Sequence, residues 1–265
     1  MHNQTIKMKT KQVYLFGTCL IDVYYPQAGM DAIKLLELAG YEVVFPQAQT
    51  CCGQPAYNSG FQDLSLDVIR HTINTFSQHK LPLIVPSASC AGMIKHHYQH
   101  ALPSDGIDAK SAAELAERTF ELIDFLLDKL PYHRLKKHPS MRVCLHQSCS
   151  AQREMKVAAS WEKILARMPY IEVLTPQYAN ECCGFGGTFA VKSPDVSAVM
   201  TEDKCQAILN TQAKYVVSGD CGCLMNLSGH LEHRIEHQLK HQKEPVTPMH
   251  LASFIAQQFE LSDEH

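Results

Sequence analysis

The stretches Thr50-Cys51-Cys52-Gly53-Gln54 and Glu181-Cys182-Cys183-Gly184-Phe185 each contain a Cys-Cys-Gly motif, and each has a third cysteine upstream at nearly the same distance. Cys19 precedes the first motif by 32 positions, and Cys149 precedes the second by 33. The residues that surround the two sets also correspond. The chain therefore contains an internal duplication with a period of about 131 residues, far longer than a solenoid repeat.

A further cysteine follows each motif. Cys90 lies 38 positions after Cys52, and Cys221 lies 38 positions after Cys183, with Cys223 two residues further on. Short apolar, β-rich runs alternate with helical patterns in both halves, as is typical of buried parallel strands joined by helices. The pattern predicts an α/β fold, an internal duplication of two βαβ-type parallel-sheet lobes that each carry a CCG cysteine site.

Helix signals and breaks suggest the boundaries. Helical patterns cover 29–40, with Gly40 as the stop, and begin again at Ser193-Pro194. Residues 95–110 resemble a loop, and the capping box Ser111-Ala112-Ala113-Glu114 predicts a long amphipathic helix that continues to Leu130. We expect a flexible tail at 1–12, a first CCG lobe at 13–130, a linker at 131–141 and a second CCG lobe at 142–265.

Composition limits the possible functions. The 265 residues include 45% hydrophobic and 19% charged residues, with a net charge of −3, so nothing indicates a nucleic-acid-binding surface. We find no signal peptide and no apolar run long enough for a transmembrane segment. Eleven cysteines in a chain without an export signal favour metal binding over a disulfide framework, and the expected location is cytoplasmic.

Parallel α/β sheets place their ligands beyond the carboxyl ends of the strands, and the cysteines of each half follow predicted strands there. Thiolates suit iron–sulfur clusters, zinc or copper(I), and four per site is usual. The chain has no C-x2-C, which argues against a zinc ribbon, and adjacent thiolates can reach different irons of one cluster. The candidate sets are Cys19, Cys51, Cys52 and Cys90, then Cys149, Cys182, Cys183 and either Cys221 or Cys223.

These motifs resemble those of the cysteine-rich CCG domain proteins, which include the iron–sulfur subunit of glycolate oxidase and the B subunit of heterodisulfide reductase. The greatest similarity is to the lactate utilization protein A family, over nearly the whole chain. The segments that carry it are Phe16-Gly17-Thr18-Cys19, Thr50-Cys51-Cys52-Gly53-Gln54-Pro55, Pro86-Ser87-Ala88-Ser89-Cys90, His146-Gln147-Ser148-Cys149, Glu181-Cys182-Cys183-Gly184-Phe185-Gly186-Gly187-Thr188-Phe189 and Gly222-Cys223-Leu224-Met225-Asn226.

The resemblance implies an iron–sulfur electron-transfer subunit of a system of three proteins that oxidises L-lactate, or another 2-hydroxy acid, to pyruvate or the corresponding oxo acid. Its partners would be a ferredoxin-like iron–sulfur protein and a third small subunit. It also implies one or two clusters, expected as 4Fe–4S. Their ligands would be Cys19, Cys51, Cys52, Cys90, Cys149, Cys182, Cys183 and Cys223. The match at Gly222-Cys223 outweighs the spacing argument for Cys221, which stays a possible extra ligand.

Two alternatives remain at this stage. One is a zinc-stabilised assembly or scaffold protein of a redox complex, with zinc in at least one site. The other is a thiol–disulfide enzyme like heterodisulfide reductase, although Met93 and Asn226 stand where that enzyme has a fifth cysteine. No residue is assigned as catalytic. Whether the chain alone is an oxidoreductase stays open.

Four further signals receive minor roles. Cys144 and Cys205 are interpreted as packing residues. His146 is either a surface residue or a hydrogen-bond donor to a cluster sulfur. The histidine stripe His230, His233, His237 and His241, which includes an H-x-x-E-H pattern, is interpreted as a solvated helix face and not as a peptidase site.

Overall fold

The computed structural model describes residues 11–103, 106–237 and 246–261, and these form two lobes with the same sheet topology. Each lobe contains a four-stranded, fully parallel sheet, in which the first strand in sequence pairs with the second and the third, and the third pairs with the fourth. The register repeats as well, since Lys11 pairs with Tyr41 in the first lobe and Met141 pairs with Ile171 in the second. The predicted α/β duplication is confirmed.

The first lobe runs from β1 to α8. Its elements are β1 (Lys11–Leu15), α1 (Cys19–Tyr24), α2 (Pro26–Leu38), β2 (Tyr41–Val44), α3 (Gln54–Asn58), α4 (Gln62–Phe76), β3 (Leu83–Val85), α5 (Ala88–Gly92), α6 (Tyr98–Ala101), α7 (Ile107–Glu117), β4 (Thr119–Glu121) and α8 (Leu122–Leu126). A π-helical turn, Met93–His97, joins α5 to α6.

The second lobe repeats this order with fewer helices. Its elements are β5 (Met141–Leu145), α9 (Ala158–Ala166), β6 (Ile171–Leu174), α10 (Phe189–Lys192), α11 (Pro194–Asn210), β7 (Tyr215–Ser218), α12 (Cys221–His237), β8 (Thr247–His250) and α13 (Leu251–Gln258). A π-helical turn, Ser150–Glu154, follows β5. Over the residues described, no helix combines the length and the apolar character needed to cross a membrane.

Local sequence explains where several helices begin and end. Thr18 and Ser87 cap α1 and α5, accepting hydrogen bonds at their hydroxyls from the backbone N–H groups of Ile21 and Cys90. Gly40, with φ 85°, follows α2 in the left-handed conformation that a glycine stop requires. These caps place the cysteine-bearing segments at the carboxyl ends of the strands.

The expected long helix from Ser111 to Leu130 is wrong. Helix α7 already begins at Ile107 and ends at Glu117, and strand β4 separates it from α8. Residues 95–110, expected as a loop, are mostly helical as far as Ala101, and α7 starts before this segment ends. The apolar spacing of Leu115, Leu122 and Leu126 suits a helix, but burial of Thr119 and Glu121 at the sheet edge ends it.

The largest apolar cluster lies between the two lobes. Leu35 of α2, Trp161 of α9 and Phe254 of α13 all belong to it, and each is at most 1% exposed. Burial of one such side chain contributes about 1.5–3 kcal/mol. Helix α13 of the second lobe packs against α2 of the first. The two lobes therefore share one apolar core, which fixes the position of one sheet relative to the other.

The segment that joins the lobes, Pro131 to Met141, runs beside the end of α13. The backbone N–H of Lys136 donates to the carbonyl of Gln258 over 2.8 Å. The expected tail at 1–12 lies almost wholly outside the described residues, and β1 begins at Lys11. The proposed domain limits stay a prediction.

Candidate metal centres

Four cysteines of the first lobe meet beyond the carboxyl ends of its strands. Cys19 begins α1 just after β1, Cys51 and Cys52 lie in the loop after β2, and Cys90 lies in α5 after β3. The sulfur atoms of Cys19 and Cys51 are 3.7 Å apart, and those of Cys52 and Cys90 are 3.5 Å apart. Three loops, distant in sequence, thus bring four soft donors to one place.

The second lobe brings its set together in the same way. The sulfurs of Cys183 and Cys223 lie within 4.8 Å of each other and of a ring nitrogen of His146. Cys149 stands next to Cys182, and their hydrogen bond raises the pKa of the Cys149 thiol. Cys149 is exposed, whereas Cys183 and Cys223 are buried.

The glycine of each motif turns the chain around the sulfurs. Gly53 and Gly184 have φ values of 83° and 86°, in the region that favours glycine. The backbone N–H of Gly53 donates to the sulfur of Cys51 over 3.5 Å, and that of Gly184 donates to Cys182 over 3.4 Å. These bonds orient the first sulfur of each pair and favour its ionised form.

In each set, the thiol of the first cysteine of the motif ionises most readily. A hydrogen bond from the Cys19 thiol, helped by Cys52 and by the Gly53 N–H, holds the pKa of Cys51 well below its usual range. The pKa of Cys182 is lowered by the equivalent contacts. The same hydrogen bonds raise the pKa of Cys19 and Cys52, because ionising a second thiol would place two negative charges side by side. Four thiolates in this space therefore fit a positively charged metal core.

Strand register decides between Cys221 and Cys223. Leu83 of β3 and Val216 of β7 occupy equivalent positions, because they pair with Tyr14 and Cys144 at the same point of β1 and β5. Cys90 lies seven residues after Leu83, and Cys223 lies seven residues after Val216. The spacing argument for Cys221 is wrong, because the path between the motif and the third strand is two residues longer in the second lobe.

Cys221 occupies the position of Ala88 in the first lobe, at the start of the helix. It is 2% exposed and lines the cavity described next, and burial raises the pKa of its thiol. Asp220, Cys90 of the first lobe and Cys223 of its own lobe lie near enough to add to this rise. The structure thus places Cys221 between the two sets.

Both cysteine sets line one cavity of about 210 Å³ between the lobes. The buried carboxylate of Asp220 lies in its wall. Asp220 Oδ1 accepts hydrogen bonds from the hydroxyls of Ser87 and Ser89, at 2.6 and 2.9 Å, and from the backbone N–H of Ser89 at 3.0 Å. Oδ2 accepts a hydrogen bond from the hydroxyl of Ser148. Asp220 therefore links both lobes at the point where the two sets face each other.

The sequence patterns do not predict the role of Asp220 or of two groups that support the motifs. The Tyr98 hydroxyl donates to the carbonyl of Cys52 over 2.9 Å, and the Asn226 side-chain amide donates to the carbonyl of Cys183, also over 2.9 Å. A signal for Asp220 existed, since it follows β7 at the position that Ser87 takes after β3 and precedes a helix in the same way.

Apart from His146, which is buried beside Cys183 and Cys223, the minor sequence signals lie away from the cavity. Cys144 and Cys205 are fully buried in the apolar cluster of the second lobe, as packing residues would be. His230 Nε2 bonds to Glu202, so this histidine of the stripe has a structural partner. His241 lies outside the described residues.

Comparison with known proteins agrees with this geometry. The cysteine-rich domain family designated CCG matches residues 13–95 and 143–228, one stretch in each lobe. Lactate utilization protein A of Geobacillus sp. (strain WCH70) is 39% identical over 244 residues, 92% of this chain and 98% of the relative. The chain belongs to the lactate utilization protein A family.

Other members of the family give the same picture. Lactate utilization protein A 2 of Bacillus cereus (strain 03BB102) is 38% identical over 223 residues, 84% of this chain and 92% of the relative. The protein of the same name from strain AH820 is 36% identical over 246 residues, 93% and 98% of the two chains. Among solved structures, glutamate racemase from Francisella tularensis aligns over 95% of each chain with a TM-score of 0.31 and 11% identity. That likeness is too weak to bear on fold or function.

Proposed function

We propose that this chain is an iron–sulfur electron-transfer subunit of a system that oxidises L-lactate to pyruvate, with one 4Fe–4S cluster in each lobe. The observation that carries the proposal is that two sets of four cysteine sulfurs converge on one cavity. The names of the relatives, all lactate utilization proteins, supply the substrate.

The donor set favours clusters over single metal ions. Each set contains two adjacent cysteines, whose sulfurs have different neighbours. Cys51 stands against Cys19, and Cys52 stands against Cys90. Two adjacent cysteines are not the usual zinc arrangement, in which two residues separate the cysteines on a tight turn, and adjacent thiolates can bind different irons of one cluster. When bound, a cluster would supply a one-electron acceptor.

Two clusters would match the stoichiometry of the reaction. Oxidation of lactate to pyruvate releases two electrons and two protons, and two one-electron centres in a single chain can together take both electrons. Both sets line the same cavity. This arrangement supports a role in collecting the electron pair and passing it on one electron at a time.

The cavity itself is a poor binding site for a carboxylate. Among the described residues its lining contains Asp220 and no lysine, arginine or histidine. A lactate carboxylate would meet a buried negative charge without a cationic partner. We therefore assign substrate binding to a partner subunit, in keeping with a ferredoxin-like iron–sulfur protein and a third small subunit. Thiols that form no disulfide in the described chain fit a reducing, cytoplasmic location.

Zinc is the competing occupant of the second lobe. His146, Cys183 and Cys223 offer a mixed nitrogen and sulfur group within 4.8 Å, a combination that zinc also accepts. A protein that holds zinc there would fit an assembly or scaffold role instead. The metal content of the protein distinguishes the two.

The decisive experiment is iron and acid-labile sulfide analysis of protein purified without oxygen. Two 4Fe–4S clusters give about eight irons and about eight sulfides per chain. Cys52→Ser and Cys183→Ser should each remove about half of both. Cys205→Ala, which deletes a buried thiol away from the cavity, is the matched control and should remove neither. Stoichiometric zinc, or no iron and sulfide after cluster reconstitution, would refute the proposal.

A further inference from the structure

His146 is a buried imidazole without a hydrogen-bond partner at the edge of the second-lobe site. It directly follows β5, and its backbone N–H donates to the carbonyl of Val217 over 2.9 Å. The residue is 2% exposed, and both ring nitrogens are buried without a hydrogen bond. Burial of a polar group without a partner is unfavourable. We therefore looked for an acceptor close to the ring.

The nearest candidates are sulfurs. A ring nitrogen of His146 lies within 4.8 Å of the sulfurs of both Cys183 and Cys223. The pKa of the Cys223 thiol is lowered to about 7. The hydrogen bond with Cys183 has the largest effect, and the contact with His146 adds to it. A neutral imidazole always carries one N–H, so His146 can donate toward the sulfurs of this set at any pH.

The first lobe has no counterpart to this donor. Phe16 follows β1 at the equivalent position, and its backbone N–H donates to the carbonyl of Ile84 over 2.9 Å, as that of His146 does to Val217. The Phe16 ring is fully buried and packs 5.7 Å from the ring of Phe76. The two lobes thus present the same cysteine pattern with an imidazole in one and a hydrocarbon ring in the other.

We infer that the His146 ring N–H donates a hydrogen bond to a sulfur of the second-lobe cluster and thereby raises its reduction potential above that of the first-lobe cluster. This inference rests on the proposed iron–sulfur function. A donor to sulfur stabilises the more negative, reduced form of a cluster. Four cysteines already provide one ligand for each of four irons, so His146 acts as a positioning and tuning residue and not as an iron ligand. The first electron that enters the protein therefore reduces the second-lobe cluster in preference to the first-lobe cluster.

The contact can be seen directly in protein labelled with ¹⁵N only in histidine. Pulsed electron paramagnetic resonance of the partly reduced, cluster-loaded protein should show a weak ¹⁵N coupling to the first cluster to be reduced. His146→Phe should abolish that coupling. The control is His250→Asn, because His250 is a second buried histidine of the same lobe, and its ring nitrogens already contact Gly219 O and Ala252 N. This variant should retain the coupling.

A redox titration tests the consequence. The wild-type protein should show two separate midpoint potentials, and His146→Phe should lower the higher one toward the other, because the variant gives both lobes the same residue. His146→Gln retains an N–H donor and should restore part of the difference. If the phenylalanine variant does not fold, the glutamine and a leucine variant provide the same comparison.

The outcomes separate this inference from the proposed function. Absence of iron and sulfide from the wild type defeats the proposed function. With both clusters present, three results would overturn the role of His146: a ¹⁵N coupling that persists in His146→Phe, a strong coupling typical of iron ligation, or unchanged midpoint potentials. Loss of half of the iron in His146→Phe would likewise indicate a ligand.

Discussion

Glu121 is a buried carboxylate at the end of β4, and its replacement by glutamine tests how the stability of the first lobe depends on pH. The side chain is 1% exposed, and its Oε2 accepts hydrogen bonds of 2.9 Å from the backbone N–H groups of Ile123 and Asp124, in the first turn of α8. Burial raises the pKa of Glu121 from 4.5 to about 8, and the Asp124 N–H and the Trp161 indole offset only part of this.

The sign of the effect follows from proton linkage. The folded protein holds the Glu121 proton more tightly than the unfolded chain does. Its contribution to stability is therefore fully present below pH 4.5 and is lost as the pH rises through about 8. At about 1.4 kcal/mol per pH unit, the loss is at most about 5 kcal/mol, a large part of a typical free energy of unfolding.

The assay is denaturant unfolding of the wild type and Glu121→Gln between pH 5 and pH 9, with both proteins in the same state of cluster loading. Glutamine keeps an oxygen for the two N–H groups and never ionises. The variant should thus gain stability relative to the wild type as the pH rises, by several kcal/mol in total. Glu42→Gln, at an exposed position of β2, should show no such trend. A difference between Glu121→Gln and wild type that stays constant over this range would refute the reasoning.

Three further substitutions test the site. Asp220→Asn changes the carboxylate that accepts hydrogen bonds from hydroxyls of both lobes, and it should lower the free energy of unfolding in denaturant by about 1–3 kcal/mol. An unchanged free energy of unfolding would contradict the role of Asp220 in linking the lobes. Gly184→Ala would bring a Cβ within 2.7 Å of Ser197 O at φ +86° and should lose about half of the bound iron, whereas Gly229→Ala, which meets no atom within 4 Å, should keep all of it. Tyr98→Phe deletes the bond to Cys52 O and should cost about 1 kcal/mol without changing the second-lobe centre.

The duplication and the parallel α/β fold could be predicted because they rest on local signals that occur twice. The strands β1 and β5 each end in three buried residues that favour strands, and Gly40 and Pro194 mark the end and the start of helices where expected. Strands β4 and β8 escaped prediction, because each leads directly into a helix, α8 or α13, with no loop between them. Such short segments become strands through pairing with β3 and β7, which local sequence does not encode.

Spacing along the chain predicts which cysteines belong to each set, except for the last cysteine of the second set. Spacing counts residues along the chain, whereas the register of β7 on β5 determines which cysteine enters the site. A two-residue difference in loop length was enough to favour Cys221 wrongly over Cys223. The cavity itself depends on how the lobes pack through α2 and α13, and its Asp220 makes bonds to residues more than 70 positions away.

Three positions at which the two lobes differ point to the second lobe as the specialised one. Phe16, Ser87 and Ala88 of the first lobe correspond to His146, Asp220 and Cys221 of the second; these positions follow the first and third strands of each sheet. In each pair a side chain without an ionisable group is matched by an imidazole, a carboxyl or a thiol group. A duplication that only stabilised two equal metal sites would have no need for such groups at the lobe boundary. Under the proposed function an uneven pair of clusters would need them, because electrons would move in a defined order only if the surroundings of the two clusters differed in charge and hydrogen bonding.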